Sequence, residues 1–327
     1  MSKKIKVAVI SGGTSSERSV SIKSAKQVYD NLPEDKYISI LINITKDGRW
    51  LYNNKKPLKL YDSKTGYKKS ELKKFDVAFI ALHGQFGEDG KIQALLDIIG
   101  LPYTGSGVLA SALAMDKIKT SELVKLSGVA VPKQLVIEKS FKDVKSLKNV
   151  LTYPCFVKPN KSGSSLGISR VESLKELPKA LKLAFKEDNT VLVEEFIDGR
   201  EITCGVLGNS EKGKIVILPP VEIVPKNKFF DFKAKYDDDW VDEICPAKIT
   251  SGQTKKVQEL SKQIHLLIGG DGLTRTDFIL KDNVYYFLEI NTIPGITEES
   301  ICPKEAKAIG LSFGEFLSQQ IKLAMNK

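Results

Sequence analysis

The sequence is poor in the residues that build disulfide frameworks and transition-metal sites. Among 327 residues it has only four cysteines and two histidines. The cysteines lie far apart, without the paired spacing of metal ligands, in a chain large enough to fold without disulfides. We therefore expect Cys155, Cys204, Cys245 and Cys302 to be reduced thiols.

Long hydrophobic runs are also absent. No apolar stretch is long enough to cross a bilayer. Near the N-terminus three lysines precede only a short apolar run, residues 7–10, which is too brief for the core of a signal peptide. The sequence therefore predicts a cytoplasmic protein with no membrane partner.

Basic residues exceed acidic ones, but they are not gathered as nucleic-acid binding requires. The net charge is +10, and the lysines are densest in residues 55–74, where only Tyr61 and Tyr67 interleave. Nucleic-acid sites combine clustered basic residues with stacking aromatics or a recognisable reading module. Neither is present, so we expect a solvated loop face there and no nucleic-acid partner.

The first part of the chain shows the alternating strands and helices of an α/β fold. A strand over residues 5–10 ends at Gly12 and Gly13, and helical spacing follows; further buried strands are predicted at 38–44 and 75–82. The glycine loop lacks the third glycine of the dinucleotide fingerprint, so a nicotinamide cofactor is not expected. Residues 102–107 form a linker that closes this domain.

Two groups of polar residues in this domain are candidates for function. Thr14 and Glu17 have the spacing of a capping box, so Glu17 could serve only the start of the helix. His83 and Glu88 follow a buried strand, at the edge where parallel sheets bind ligands. The other histidine, His265, lies in a helical pattern, and we interpret it as structural.

A loop of small residues follows the predicted strand that carries Lys158. It reads NKSGSSLG over residues 160–167. Exposed backbone amides beside a lysine suit a phosphate, although the Walker order of glycine and lysine is missing. An ordinary hairpin that binds nothing is the alternative.

Residues 275–295, RTDFILKDNVYYFLEINTIPG, predict a β-hairpin. A three-residue loop over residues 282–284 would pair Lys281 with Tyr285. The same register puts polar side chains on one face in two opposed pairs, Asp277 with Glu289 and Arg275 with Asn291.

Two carboxylates and an amide oxygen on one face can hold a hard cation. A salt-bridged, solvated face is the alternative. The opposite face of the predicted hairpin is apolar and carries Phe278, Leu280, Leu288 and Ile290. Ile279 and Phe287 share the polar face, nearer the turn.

Two further segments are rich in charge. Glu194, Glu195 and Glu201 lie near a predicted turn at residues 198–199. Residues 229–240, FFDFKAKYDDDW, have no apolar period, which is typical of a mobile lid.

Seven motifs in one order along the chain carry a family resemblance. They read HGQFGEDG, PYTGSGVLASALAMDK, VKPNKSGSSLG, EEFIDGREIT, AKY, TRTDF and EINTIPGITEES. Together they resemble the D-alanine-D-alanine ligases of the ATP-grasp superfamily, over essentially the whole chain. The resemblance implies an α/β (α+β) fold: a Rossmann-like parallel-sheet domain at residues 1–105, then two ATP-grasp subdomains, 106–187 and 188–327, that clamp the nucleotide.

The resemblance also implies ATP and two Mg2+ ions, or Mn2+ in their place. Asp277 and Glu289 look like ligands of one ion, with Glu289 and Asn291 holding the second. The residues implied to contact the nucleotide are Lys117, Lys158, Ser164, Ser165, Glu194, Glu195, Ile197, Glu201 and Lys235.

The activity implied is the ATP-dependent joining of two D-alanine molecules, through an acyl phosphate, to supply peptidoglycan precursors. A homodimer is implied as well. Arg275 and the backbone amide of Gly295 match the oxyanion donors, with Glu17 binding the first ammonium and Ser300 the second carboxylate. The residues implied in substrate binding or catalysis are Glu17, His83, Ser164, Tyr236, Arg275, Gly295 and Ser300.

Three alternatives stay open, one of which is a ligase of the same superfamily that joins another carboxylate and amine. A depsipeptide ligase would join D-alanine to D-lactate, but Tyr236 on the predicted lid favours the dipeptide. A non-catalytic ATP-binding regulator would not require Arg275 and the Gly295 turn beside the metal ligands.

Overall fold

The structure, a computed structural model, describes residues 3–62, 66–67, 71–141, 143–163, 166–226 and 241–327. The helices are α1 (Arg18–Asn31), α2 (Lys91–Ile99), α3 (Val108–Met115), α4 (Lys117–Leu126), α5 (Leu177–Ala184), α6 (Ser251–Leu267), α7 (Ile301–Ala308) and α8 (Phe313–Met325), with a 3-10 helix at Val144–Asn149. The strands of the first half are β1 (Ile5–Gly12), β2 (Tyr37–Ile44), β3 (Trp50–Tyr52), β4 (Lys56–Leu58), β5 (Tyr61–Asp62), β6 (Gly66–Tyr67), β7 (Val77–Ile80), β8 (Gln134–Glu138) and β9 (Cys155–Pro159). Those of the second half are β10 (Ser169–Val171), β11 (Thr190–Glu195), β12 (Arg200–Asn209), β13 (Val216–Ile217), β14 (Val221–Pro225), β15 (Val241–Ile244), β16 (Asp271–Lys281) and β17 (Val284–Asn291).

The first sheet has the strand order β4-β3-β2-β1-β7, and β1 runs parallel to both β2 and β7. Strand β1 is buried on both faces: Val7 and Val9 lie in one core, and Ala8 and Ile10 lie in another. A strand covered on both sides has no polar face, and this explains its continuous apolar run. The parallel arrangement predicted from the sequence is confirmed for β1, β2 and β7, whereas β3 pairs antiparallel with both β2 and β4.

The second sheet, with the order β10-β9-β11-β8, is antiparallel throughout. Helix α5 packs on one face and buries Leu177 and Leu181 against Val157 and Val193. This sheet brings Lys158 of β9 beside Glu194 of β11. The loop of small residues predicted after Lys158 does follow β9.

The third sheet runs β15-β14-β12-β16-β17, with β13 beside β12. Helices α3, α4 and α6 cover one face, where Phe278 and Phe287 are fully buried. Helices α7 and α8 lie on the other side, and their buried residues share one core with Val7 of β1. The first and third sheets are therefore joined by a common apolar layer.

Three further expectations from the sequence can be compared with the structure. All four cysteines are free thiols. His265 is buried in α6, where its Nδ1 lies 2.8 Å from Thr274 Oγ1, and burial lowers its pKa to about 4. Its structural interpretation is confirmed. In the part of the chain that the structure describes, no helix is both long and apolar enough to cross a membrane.

Candidate active site

The hairpin of β16 and β17 has a tighter turn than the sequence predicts. Lys281 pairs with Val284, so the turn consists of Asp282 and Asn283 alone. Both have positive φ, 48° and 63°, the conformation of a two-residue hairpin turn, which Asp and Asn tolerate better than most residues. The predicted three-residue loop, with Lys281 opposite Tyr285, is therefore wrong.

The functional register of the hairpin is nevertheless the predicted one. Asp277 lies opposite Glu289, and Arg275 lies opposite Asn291. A β-bulge after Asp277 absorbs one extra residue of β17, which makes up for the shorter turn. The four polar side chains therefore share one face, as expected.

The bulge changes which aromatic residue faces the core. Phe287 pairs with Phe278, and their ring centroids lie 6.4 Å apart inside the core. Leu288 is only half-buried. The expectation that Phe287 shares the polar face is wrong, because the extra residue resets the alternation of side chains.

Arg275 and Asp277 form a buried ion pair. The guanidinium donates from Nε and Nη2 to the two carboxylate oxygens of Asp277, both at 2.8 Å. Thr203 of β12 donates to the same carboxylate. Burial lowers and the Asp277 carboxylate raises the pKa of Arg275, and the carboxylate prevails. Since both charged side chains are buried, the alternative of a solvated face does not hold.

Lys117 links the hairpin to the loop of small residues. Its Nζ lies 3.2 Å from Glu289 Oε2 and donates to the backbone oxygen of Ser162 at 2.8 Å. The lysine begins α4, and its side chain is almost fully buried. It thus sets a positive charge between a predicted metal ligand and the predicted phosphate loop.

Three of the predicted nucleotide residues, Lys158, Glu194 and Glu195, lie on the second sheet. Lys158 forms a buried ion pair with Glu194, whose Oε2 accepts from Gln134 Nε2 at 2.9 Å. Glu195 Oε1 accepts from the backbone of Lys133 at 2.8 Å. Ile197 follows β11, and Glu201, the second residue of β12, lies in the third sheet opposite Ile279. These five residues lie outside the lining of the main cavity described next.

A cavity of about 620 Å³ lies between the first and third sheets. It brings together most of the predicted substrate and catalytic residues. Those lining it are Glu17, His83, Lys117, Arg275, Glu289, Asn291, Gly295 and Ser300. Ser162 and Gly163 of the small-residue loop form part of its wall. Asp277 lies behind Arg275 and does not line the cavity.

One end of the cavity is formed by the start of α1 and the segment after β7. Glu17 occupies the N-cap position, but its side chain makes no capping hydrogen bond, so the capping-box interpretation is wrong. A Cβ at Gly84 would lie 2.4 Å from Glu17 Oε2, so a glycine is required for the carboxylate to lie there. His83 Nε2 is 3.0 Å from Ser24 Oγ, and its Nδ1 is 3.5 Å from Glu88 Oε1.

The other end is formed by the turn after β17 and the start of α7. Ser300 Oγ lies 2.8 Å from Thr297 Oγ1 and accepts from the Thr297 amide at 3.1 Å. A Cβ at Gly295 would lie 3.0 Å from that oxygen. A side chain at residue 295 would therefore crowd Ser300.

Some predicted residues cannot be placed. Ser164, Ser165, Lys235 and Tyr236 lie outside the described residues, as does the acidic run at 237–239. Other residues were not predicted but support the site through hydrogen bonds: Ser24, Gln134 and Thr203. Thr203 meets Asp277 only because β12 pairs with β16, across 74 positions of sequence. No local pattern could have indicated that contact.

The oxygen atoms of Asp277, Glu289 and Asn291 are of the kind that a hard cation prefers. The three residues occupy opposed or neighbouring positions on one face of the hairpin. The carboxylate of Asp277 pairs with Arg275, and that of Glu289 pairs with Lys117. Within the described residues no group of three or more histidine, cysteine and carboxylate side chains could cage a metal. Mg2+ commonly binds in this way, through one or two carboxylates with substrate phosphates and water completing its shell.

Two family models together match most of the chain. A model described as "D-ala D-ala ligase N-terminus" matches residues 6–106, and one described as "D-ala D-ala ligase C-terminus" matches residues 123–322. The chain is 38% identical, over 325 residues, to the D-alanine--D-alanine ligase of Halalkalibacterium halodurans, which covers 99% of this chain and 100% of that relative.

Solved structures show the same likeness. The VanG D-Ala:D-Ser ligase from Enterococcus faecalis superposes with a TM-score of 0.82 at 34% identity, covering 98% of this chain and 100% of that one. The D-alanine--D-alanine ligase from Bacillus anthracis complexed with ATP gives 0.77 at 28% identity, covering 98% and 97%. Shared sequence along the full length and a shared fold lead to one conclusion: the chain belongs to the D-alanine-D-alanine ligase family, ATP-dependent ligases with the ATP-grasp fold.

Proposed function

We propose that the protein joins two molecules of D-alanine at the expense of ATP, giving D-alanyl-D-alanine for peptidoglycan precursors, with ADP and phosphate. The observation that carries the proposal is the cavity itself. It has an anionic end at Glu17, a cationic middle at Lys117 and Arg275, and a hydroxyl end at Ser300. That sequence of charges complements two amino acids placed head to tail beside a phosphoryl donor.

The first D-alanine binds at the Glu17 end in this proposal. The Glu17 carboxylate takes its ammonium group, and His83, held by Ser24 and Glu88, orients it. Its carboxylate then points toward Lys117. A free carboxylate is a poor electrophile, so transfer of the γ-phosphoryl group of ATP converts it into a reactive acyl phosphate.

The nucleotide lies along the second sheet in this proposal. Lys117 and Lys158 contact its phosphates, together with Ser164 and Ser165 of the small-residue loop and Lys235. The adenine strip consists of Glu194, Glu195 and Ile197, and Glu201 takes the ribose hydroxyls. The buried Lys158–Glu194 pair supports this assignment, because it presets both charges before any ligand binds.

Asp277, Glu289 and Asn291 would hold two Mg2+ ions, or Mn2+ in their place. Divalent ions at this position neutralise the charge of the phosphates during in-line transfer. The role of the chain is to present three oxygen ligands from one rigid hairpin. Thr203 and Arg275 fix the orientation of the Asp277 carboxylate by hydrogen bonds.

The amine of the second D-alanine attacks the carbonyl carbon of the acyl phosphate, and a tetrahedral oxyanion forms. Its collapse breaks the carbon–oxygen bond to phosphate, which leaves, and the nitrogen loses a proton as the amide forms. The Arg275 pair with Asp277 uses Nε and Nη2, so Nη1 is the donor that remains for the oxyanion. The Gly295 amide is the second donor. Ser300 takes the carboxylate of the second substrate, and Tyr236 on the predicted lid bonds Ser164. Exclusion of water protects the acyl phosphate from hydrolysis.

A product assay tests this function. The protein is incubated with ATP, Mg2+ and single amino acids, and both phosphate release and products are measured. We expect D-alanyl-D-alanine from D-alanine and no product from L-alanine. ADP formation that does not depend on any amino acid would refute the ligase and favour the regulator.

The same assay decides the acceptor. D-lactate and D-serine are each offered with D-alanine, because the depsipeptide alternative stays open and because VanG is described as a D-Ala:D-Ser ligase. We expect D-alanine to be preferred. A larger yield of mixed product would reassign the second subsite. Since ATP is a substrate, we also propose that the enzyme is cytoplasmic. We propose as well that it forms a homodimer, and light scattering would measure the mass of that dimer.

A further inference from the structure

Two elements that carry predicted phosphate lysines meet at a single buried side chain, Asn160. Lys158 lies on β9, and Lys117 begins α4. Asn160 follows β9 directly and is only 4% exposed. Its backbone amide continues the sheet by donating to Thr190 at 3.0 Å. The backbone of Asn160 is therefore fixed at the end of β9.

The side-chain amide of Asn160 forms hydrogen bonds with the first turn of α4 through both its donor and its acceptor. Its Oδ1 accepts from the Ile118 amide at 3.0 Å, and its Nδ2 donates to Asp116 Oδ1 at 3.0 Å. Its backbone oxygen accepts from the Lys117 amide at 3.4 Å. Residues 116, 117 and 118 are thus each bound to Asn160.

Asp116 completes this arrangement, which we call the Asn160 clasp: Asn160, Asp116 and the amides of residues 117 and 118. The Asp116 carboxylate caps α4 by accepting from the Lys119 amide at 3.1 Å. It also pairs with the exposed Lys161 at 3.2 Å. Burial raises and the Asn160 hydrogen bond lowers the pKa of Asp116, and the lowering prevails with help from Lys119 and Lys161. An ionised Asp116 needs a donor here, and Asn160 supplies one.

We infer that Asn160 is a positioning residue for Lys117. The inference rests on the proposed role of Lys117 at the phosphates of ATP. Lys117 Nζ reaches the backbone oxygen of Ser162 at 2.8 Å, two residues beyond Asn160. The clasp therefore fixes the start of α4 against the same loop that the ammonium group must meet. Without it, Lys117 keeps its charge but loses its fixed distance from Lys158 and the loop.

The first test compares Asn160→Ala with Asn209→Ala. Asn209 is an equally buried asparagine that also makes two side-chain hydrogen bonds, to Leu323 and Gly272, but it is not among the residues that line the cavity. The hydrogen bonds of the clasp involve a charged group, so we expect Asn160→Ala to raise the KM for ATP about tenfold or more. The KM for D-alanine should change by less than about twofold.

The Asn209 variant separates positioning from general stability. Both variants should unfold at a lower temperature than the wild-type protein, but only Asn160→Ala should weaken the binding of ATP. An unchanged KM for ATP in Asn160→Ala, or an equal rise in Asn209→Ala, overturns the inference. A wild-type protein that neither binds ATP nor forms dipeptide refutes the proposed function instead, and the inference with it.

An exchange of the two side chains provides a rescue. Asn160→Asp removes the Nδ2 donor and places a second carboxylate at the position that now lies 3.0 Å from Asp116 Oδ1. We therefore expect it to weaken the binding of ATP as Asn160→Ala does. The Asp116→Asn, Asn160→Asp double variant restores one donor and one carboxylate, and asparagine caps a helix as well as aspartate. Its KM for ATP should return to within about threefold of wild type. A double variant no better than Asn160→Asp contradicts the clasp.

Discussion

Arg275 is fixed by Asp277 on one side and faces the cavity on the other. Its buried, bidentate pair leaves one nitrogen of the guanidinium, Nη1, for a substrate. Because the pair is rigid, that donor is set before any charge develops. A donor that is already oriented stabilises an oxyanion without the cost of reorganisation.

Replacing Arg275 should therefore affect turnover far more than nucleotide binding. We expect Arg275→Ala to lower kcat by at least about a hundredfold, with the ATP dissociation constant changed by less than about threefold. Arg275→Lys is the control, since it keeps a positive charge beside Asp277 but loses the two-point contact. Rapid-quench measurement of dipeptide and calorimetric titration of ATP separate the two effects. Wild-type turnover in Arg275→Ala would remove this side chain from the oxyanion role.

At the scale of the element, the β16–β17 hairpin shows how a register can be predicted correctly for an incomplete reason. The pairing of Asp277 with Glu289 follows from alternation, but the turn is one residue shorter than expected and the bulge adds that residue back. The sequence could not place the extra residue, because Phe287 and Leu288 are adjacent and both apolar. Either could face the core until the third sheet and α6 are assembled.

The core position of Phe287 can be measured through stability. We expect Phe287→Ala to lower the free energy of unfolding by about 3–5 kcal/mol, because it leaves a cavity beside Phe278. Leu288→Ala should cost only about 1 kcal/mol, because that side chain is half-buried. Urea unfolding of both variants gives the comparison. The reverse order would mean that the strand runs on without the bulge.

Contacts between distant elements lay beyond prediction for a different reason. The β-strands and the charged face follow from local patterns, and so did the candidates Glu17, His83 and Lys158, whereas Ser300 came from the family resemblance alone. Asn160 was visible only as the first residue of a loop. Its bond to Asp116 joins positions 44 apart and depends on how α4 meets the second sheet. Tertiary packing decides such contacts, and no periodicity encodes them.

At the scale of the whole molecule, Glu305 connects α7 to the centre of the third sheet. It is fully buried, and its Oε1 accepts from the Gly205 amide at 3.0 Å. Burial raises its pKa to about 8, from an ordinary value of 4.5. The folded protein therefore holds this proton at neutral pH, whereas the unfolded chain releases it.

Stability should consequently fall as the pH rises from about 6.5 to about 8. A group whose pKa is raised by folding stabilises the folded state fully at pH values below its pKa in the unfolded chain. This stabilisation is lost as the pH rises to the folded-state pKa, at about 1.4 kcal/mol per pH unit between the two pKa values. His265, whose pKa is lowered, destabilises only below about 6.5, so this window isolates Glu305. Glu305→Gln, which keeps an acceptor for Gly205, should flatten the slope in urea unfolding at a series of pH values. An unchanged slope would mean that Glu305 is already ionised in the folded protein.

The apolar layer shared by the first and third sheets has a consequence for how the chain is made. Val7 and Val9 of β1 lie in one core with Phe316, Leu317 and Ile321 of α8, as well as with residues of α1. The α8 residues emerge from the ribosome about 300 residues later. Synthesis at roughly 5–20 residues per second leaves this core without α8 for on the order of 15–60 s, with only α1 packed on β1. During this interval the early sheet presents an apolar surface that its own last helix will cover. A nascent chain of this protein should therefore depend on chaperones until α8 is released.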